Sequence, residues 1–510
     1  MFSLFTNMKN LLFCLILCYS PFVFSQNKYW VFLADKDTAH YKYEQFLSKE
    51  TIQKRKLLNL PLFQSTDIPL KKNYLEILAK NTQIYQQSRW LNAVCCQISD
   101  EKLPFIKKLP FVKELQKVQT NSRILSKKNS LYYDAQVALK QLEHSAFLEA
   151  NLDGKGIRIG ITDAGFYHAH KSPQLKAIFD KKNIVSVRDF VNPKNKNDYK
   201  DMDWDTHGTQ VWERIAGKSQ KAQSGMASES NFVLARTESM NFENRSEEAN
   251  WIAALEWFDS LGVRLVNTSL GYALDFSNPS QNYQTKDMNG FTCLTSKAAQ
   301  IAVQQKGVII VVAAGNEGDD ARWHVISSPA DSPYVLSVGA SDQSGQKALY
   351  SSIGVDFVDY VKPNVVCFSS NGTSFAAPSM TGFVACLLQK KPTATWQEII
   401  KTVEQSACLY PYGNNYVGMG IPSAKKALAI LENKNFGNTL TIKAKNLVYL
   451  KPKNVVKNQL GIVFHKKNSF VLLKQGKVRL KNAVLEIEAP KNTKQSSVWY
   501  GNETWEIIWE

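Results

Sequence analysis

No repeated spacing links the eight cysteines of this 510-residue chain. Cys14 and Cys18 fall in an N-terminal apolar run, Cys95 and Cys96 are adjacent, and Cys293, Cys367, Cys386 and Cys408 are scattered. Neighbouring strand residues point to opposite faces, so the adjacent pair does not read as a bridge. A disulfide framework is excluded as the organising principle; one incidental bridge or none is expected. Zinc-ligand spacing is missing too. Fibrous repeats and low-complexity tracts are absent, and 44% apolar with 21% charged residues is an ordinary globular composition. Beyond the N-terminus no apolar run reaches the roughly 18 to 20 residues that cross a bilayer. A chain this long buries a large core and is expected to form about two to four domains.

What is present begins with Lys9, the apolar stretch from Leu11 to Phe24, and the small residue Ser25 with Val23 two positions before it. This is the pattern of a secretory signal over 1–25, so secretion is expected. Lipoprotein processing is the alternative, but Leu17 before Cys18 is bulkier than that processing accepts. Over 26–118, "YWVFLA", "KYEQFLSKETIQKRKLL", "RWLNAVCCQI" and "EKLPFIKKL", the last with a short "FVKELQKV" after it, read strand, helix, strand and helix, a small α+β unit. The polar, basic stretch 119–133 has no period and reads as an exposed linker.

Across 134–432 short Val and Ile runs alternate with helical segments: "GIRIGIT", "NFVLART", "SEEANWIAALEWFDSLG", "VRLVNTSLG", "GVIIVVAAG", "YVLSVGA". This predicts an α/β fold, a doubly wound and mostly parallel sheet with helices on both faces. Chemistry in such sheets sits beyond the carboxyl ends of the strands. From 433 to 510 the helices stop and "LGIVFH", "SFVLLKQGKVRLKNAVLEIEAP" and "TWEIIWE" alternate as a small all-β domain would. That segment holds fourteen Lys and Arg against five Glu, about half of the chain's net charge of +17. A solvated basic face and contact with an acidic surface are both open readings, and no nucleic-acid partner is expected.

At the strand ends stand four polar residues. Asp163 closes the first strand in "ITDAGF", His207 lies in "WDTHGTQV", Asn316 follows "GVIIVVAAG", and Ser374 follows the turn "SSNG" at the start of an apolar helical segment. Serines before helices are usually N-caps. The other three suggest more. A serine hydroxyl needs a histidine to take its proton, the histidine needs a carboxylate, and the substrate carbonyl needs donors for its developing charge.

These motifs, "TDAGF", "HGTQV", "AAGNEG" and "NGTSFAAP", with "NTSLG" and "SSPADSPYVLSVGA" between them, resemble those of the subtilases, the subtilisin-like serine endopeptidases. The likeness covers roughly residues 134–430. It implies a subtilisin-like fold with Asp163 as orienting acid, His207 as general base and acid, Asn316 as oxyanion donor and Ser374 as nucleophile. It further implies that Ser269, Leu270 and Gly271, with Ala313, Ala314 and Gly315, wall the substrate cleft. Residues 26–118 would then be a propeptide that assists folding and inhibits the enzyme, with protein or peptide as substrate. The chain departs from the family's usual residues at Ala164, Gln210, Asn371 and Ser379, none of which transfers a proton or carries charge.

Other signals read as chance or packing. "DMDWD" over 201–205 alternates carboxylates but lacks the glycine and closing glutamate of an EF-hand loop. A solvated acidic approach to His207 is expected there, with an irregular structural calcium site as the alternative; the chemistry itself requires no cofactor. "GKGIRIG" precedes its strand, whereas a dinucleotide loop follows one. Asn267, Asn371 and Asn502 begin chance N-x-[ST] triplets, His168 and His170 lack a third metal ligand, and Trp251 and Trp257 read as packing aromatics. Two other functions are compatible with the fold: a catalytically silent binding protein, against which the four residues argue, and a non-peptidase acyl hydrolase. The latter would turn over simple esters in preference to casein.

Overall fold

The computed structural model describes residues 26–38, 42–118, 131–195, 205–220, 222–239, 247–273, 282–434, 439–456 and 458–510. The segment read as a signal and most of the segment read as a linker lie outside the described residues. No described helix is long and apolar enough to cross a membrane.

The N-terminal unit is an antiparallel sheet of β1 (Gln26–Leu33), β2 (Gln83–Ser88), β3 (Ala93–Ser99) and β4 (Val112–Lys117), in the order β2-β3-β1-β4. Helices α1 (Lys49–Leu57) and α2 (Lys72–Asn81) accompany it. Ser48 starts α1, its side chain accepting from the Thr51 N–H at 3.0 Å. Strand alternation gives this sheet two buried faces. Val31, Leu33, Val94, Cys96 and Ile98 pack with Leu78, Ile106 and Phe111 of the same unit. Trp30, Ala93 and Cys95 face the central unit instead. Adjacent Cys95 and Cys96 therefore serve two different cores, and the six described cysteines are free thiols.

The central sheet comprises β5 (Arg158–Asp163), β6 (Ile184–Asp189), β7 (Asn231–Arg236), β8 (Leu265–Thr268), β9 (Ile309–Ala313), β10 (Leu336–Ser341) and β11 (Val365–Phe368). Their order is β11-β10-β9-β8-β5-β7-β6 and every pairing is parallel. The continuous apolar runs are explained by burial on both faces. Ile309, Val311 and Ala313 of β9 point into one core; Ile310 and Val312 point into the other. The first core is covered by α3 (Leu131–Gln141), α4 (His207–Ala216) and, as its centre, α7 (Thr373–Lys390); the second by α5 (Glu247–Ser260) and α6 (Leu294–Gln300).

The N-terminal unit docks on the second face through buried charge. Lys54 of α1 reaches Asp259 of α5 at 2.6 Å, Arg55 holds Asp67 at 2.7 Å, and Lys306 of the central unit also holds Asp67 at 2.7 Å. Beside them the Glu256 carboxylate accepts from Ser88 Oγ at 2.5 Å and from the Trp90 N–H at 3.2 Å. Breaking one such buried pair typically costs about 3–5 kcal/mol, because it leaves an uncompensated charge.

The C-terminal sheet contains β12 (Thr439–Ala444), β13 (Leu447–Leu450), β14 (Leu460–Lys466), β15 (Leu472–Lys481), β16 (Val484–Glu488), β17 (Gln495–Tyr500) and β18 (Glu503–Trp509), in the order β12-β18-β17-β14-β15-β16-β13. Its outer core holds Val463, Leu485, Val498, Trp505 and Ile507. On the other face Ile462, Phe464 and Leu472 join the central unit's first core, beside Leu409, Val417 and Ile421. Asn415 reinforces the seam, its N–H donating to the Phe470 carbonyl and its Oδ1 accepting from the Leu472 N–H, each at 2.9 Å. The sheet is thus packed into the central core rather than tethered beside it. A chain ending at Asn433 is expected to lose stability sharply, and Phe464→Ala to cost about 3–5 kcal/mol. Thermal unfolding of the two variants checks both; an unchanged midpoint for the truncated chain would contradict the shared core.

Candidate active site

Asp163 is the last residue of β5, fully buried, and His207 is the first residue of α4. Their close approach requires Gly208. A Cβ there would lie 2.4 Å from the Gly165 carbonyl oxygen and 2.9 Å from the Asp163 Cβ. His207 Nδ1 and Asp163 Oδ1 are 2.7 Å apart, and the same carboxylate oxygen accepts from the Ala164 N–H at 2.9 Å. An Nδ1–H donated to Asp163 fixes the tautomer and puts the imidazole lone pair on Nε2. Nε2 is buried and has no partner among the described residues. Burial opposes protonation of His207, but the charge and hydrogen bond of Asp163 and the charge of Asp205 outweigh it, raising the pKa above its ordinary value. Asp205 also accepts from the His207 backbone N–H at 2.6 Å. Of the acidic stretch 201–205, only Asp205 lies within the described residues.

Ser374 is the second residue of α7 and is not its N-cap; Gly372 is, at φ +122°, a conformation that L side chains rarely adopt. The Ser374 hydroxyl donates to the Ser269 carbonyl at 3.2 Å, while Ser269 Oγ donates to the Ser374 carbonyl at 2.9 Å. This reciprocal pair binds the start of α7 to the end of β8. The Ser374 hydroxyl therefore does not bond to His207 here, although the rings of His207 and its neighbour Phe375 lie 5.6 Å apart. Asn316 follows β9. Its Oδ1 accepts from the Thr373 N–H at 2.8 Å and the Thr373 hydroxyl at 3.0 Å, which makes the NH2 its donor end.

The remaining wall residues are fixed by the packing and backbone around them. The Leu270 side chain is buried in the second core, so only its backbone can face a substrate. Ala314 donates to the Val338 carbonyl and accepts from the Ser327 N–H, and Gly315 accepts from the Ser352 N–H. Gly271 is held close, since a Cβ there would lie 2.1 Å from Ser327 Oγ. Ala313 is buried in the first core.

The sequence assigned several site residues no role of their own. Asn267, seen as part of "NTSLG" and as a chance triplet, joins Ser269 Oγ at 3.1 Å to Thr381 Oγ1 at 2.8 Å and is fully buried. Thr373 was visible only as part of a motif, and Asp134 not at all. Trp251 is buried with its indole N–H on Thr268, whereas His168 and His170 are half-buried near Tyr167. Among the described residues no three His, Cys, Asp or Glu side chains are grouped to hold a metal ion.

Comparison with known proteins agrees with this architecture. The subtilase family model matches residues 154–438, and a model of the peptidase S8 propeptide domain of Bacteroidota matches residues 28–132. Subtilisin NAT from Bacillus subtilis subsp. natto is 25% identical over 394 residues, 75% of this chain and 92% of that protein. Subtilisin DY from Bacillus licheniformis is 27% identical over 264 residues, 50% of this chain and 84% of that protein. The solved structure of the epidermin leader peptide processing serine protease from Staphylococcus aureus shares the fold, with a TM-score of 0.56 and 16% identity over 81% of this chain and 100% of that one.

The electrostatics of His207 make a direct prediction. Its ring should titrate above the ordinary histidine value of about 6.5, and Asp205→Asn should move the midpoint down, since a negative charge that favours the cation is removed. Ring-carbon NMR shifts against pH check this. An unmoved midpoint would remove Asp205 from the account.

Proposed function

The chain belongs to the subtilase family and is a subtilisin-like serine protease with a propeptide domain, and from that premise we propose that Ser374 is its nucleophile, His207 its general base, Asp163 its orienting acid and Asn316 an oxyanion donor. The 2.7 Å bond between His207 and Asp163 carries this reading, because it aims an unoccupied Nε2 lone pair from a buried ring. In this scheme Ser374 leaves the Ser269 carbonyl and turns its hydroxyl to Nε2. His207 then takes the proton as Oγ attacks the scissile carbonyl, and returns it to the leaving amine. The Asn316 NH2 and the Ser374 backbone N–H receive the negative oxygen. Only side chains and backbone move protons or hold charge, so the scheme uses no cofactor. The neutral imidazole is the working form, so turnover falls as pH drops through the raised pKa of His207.

The propeptide domain is proposed to act as an inhibitor until export, with 1–25 as the signal that directs secretion. The buried pairs of Lys54 with Asp259 and of Lys306 with Asp67 support a tightly docked inhibitor, since each crosses between the two units. Removal of the propeptide by the enzyme itself, between Val118 and Ala135, would release the enzyme. The Ser374→Ala chain is then expected to be exported with its propeptide still attached, read by intact mass from a host lacking other proteases. Normal maturation of that variant would overturn self-processing.

A further inference from the structure

Asp134 lies on α3 at the edge of the segment where maturation is placed, yet its carboxylate is buried, at 2% exposure, inside the turn that precedes Ser374. It accepts from the Ser370 N–H at 2.8 Å, from Ser370 Oγ at 2.8 and 2.9 Å, and from the Asn371 side-chain NH2 at 2.8 Å. Seven residues further along the same helix, Gln141 accepts from the Phe368 N–H at 2.7 Å. Helix α3 thus grips both ends of the segment that leads from β11 into the turn. A buried carboxylate is costly unless hydrogen bonds and opposite charge repay it. Among the described residues, every hydrogen bond it accepts comes from this one turn.

The opposite charge is Arg214 of α4, whose guanidinium is 3.9 Å from Asp134 and has no hydrogen bond of its own among the described residues. Burial pulls its pKa down to about 10, against the stabilising charge of Asp134. Arg214 lies 6.0 Å from the centre of the Phe375 ring, which faces His207. Asp134 therefore touches the turn that carries Ser374 and the helix that carries His207.

We infer that Asp134 is a positioning residue for the reaction, one that sets the Ser370–Gly372 turn and with it the placement of Ser374 against His207. Asn371 is its chosen partner: where subtilases often have serine, this chain places an amide that reaches the carboxylate. The maturation cut must then fall N-terminal to Asp134, so that the mature enzyme keeps it. The inference rests on Ser374 being the nucleophile.

The test compares wild type with Asp134→Ala, the conservative variant Asp134→Asn, and Ser374→Ala. Each precursor is matured with immobilised wild-type enzyme, which is then removed, and kcat, KM and the thermal midpoint are measured on a peptide substrate. Asp134→Ala leaves the Ser370 N–H and the Asn371 NH2 without their acceptor and should lower kcat about tenfold or more, as loss of a buried charge-assisted bond would, with KM little changed. Asp134→Asn, with its amide oxygen in the Oδ2 place, still accepts from both donors and can donate its NH2 to Ser370 Oγ, so it should recover most of that loss. Mature chains should begin before Asp134 by intact mass. Wild-type kcat in Asp134→Ala beside an inactive Ser374→Ala would overturn the positioning role alone. A fall in kcat that tracks a lowered thermal midpoint and is not recovered in Asp134→Asn would overturn it as well. Activity in Ser374→Ala would overturn the nucleophile reading beneath it.

Discussion

The turn before α7 and the helix's first residues present a row of backbone N–H groups, and each needs a partner. Gly372 supplies the sharp turn but has no side chain to cap with. Partners come instead from four places: Asp134 meets the Ser370 N–H, Ser369 Oγ the Asn371 N–H, the Tyr350 hydroxyl the Gly372 N–H and Asn316 Oδ1 the Thr373 N–H. The next in the row, the Ser374 N–H, finds no such partner among the described residues. Satisfying this helix start is what draws the ends of separate strands and helices together, and the first N–H left over is the one beside the candidate nucleophile.

The positions of Asp163, His207, Asn316 and Ser374 were legible because each stands at a break in the alternation of apolar strands and helices that a parallel sheet with two buried faces imposes. Their residue types then limited the chemistry. Asp134 was not legible, since it sits 236 residues from the serine whose N–H it accepts and a single carboxylate in a helix gives no periodic signal. Asn371 and Asn267 were visible inside the motifs and as chance triplets, but what they bond to depends on burial. The C-terminal strands were legible as β structure, but alternation does not say what either face meets. Phe464 and Leu472 face the central core, which only the packing reveals.

The same limit applies to the docked N-terminal unit. Lys54 and Asp259, or Asp67 and Lys306, look like ordinary surface charges in sequence, yet all four are buried across one interface. Ions there are tolerated because each finds an opposite charge, and pulling the units apart returns them to water. Such a contact is strong while assembled and readily solvated once opened, which fits the inhibitory, removable propeptide proposed above.

The central claim is that Ser374 is the one activated hydroxyl of the chain. Treating the matured protein with a fluorophosphonate and mapping the adduct by peptide mass spectrometry tests it most directly. The account predicts one adduct per chain, on Ser374, forming more slowly as pH falls through the raised pKa of His207. An adduct on another residue, or none on a folded and matured chain, would contradict it.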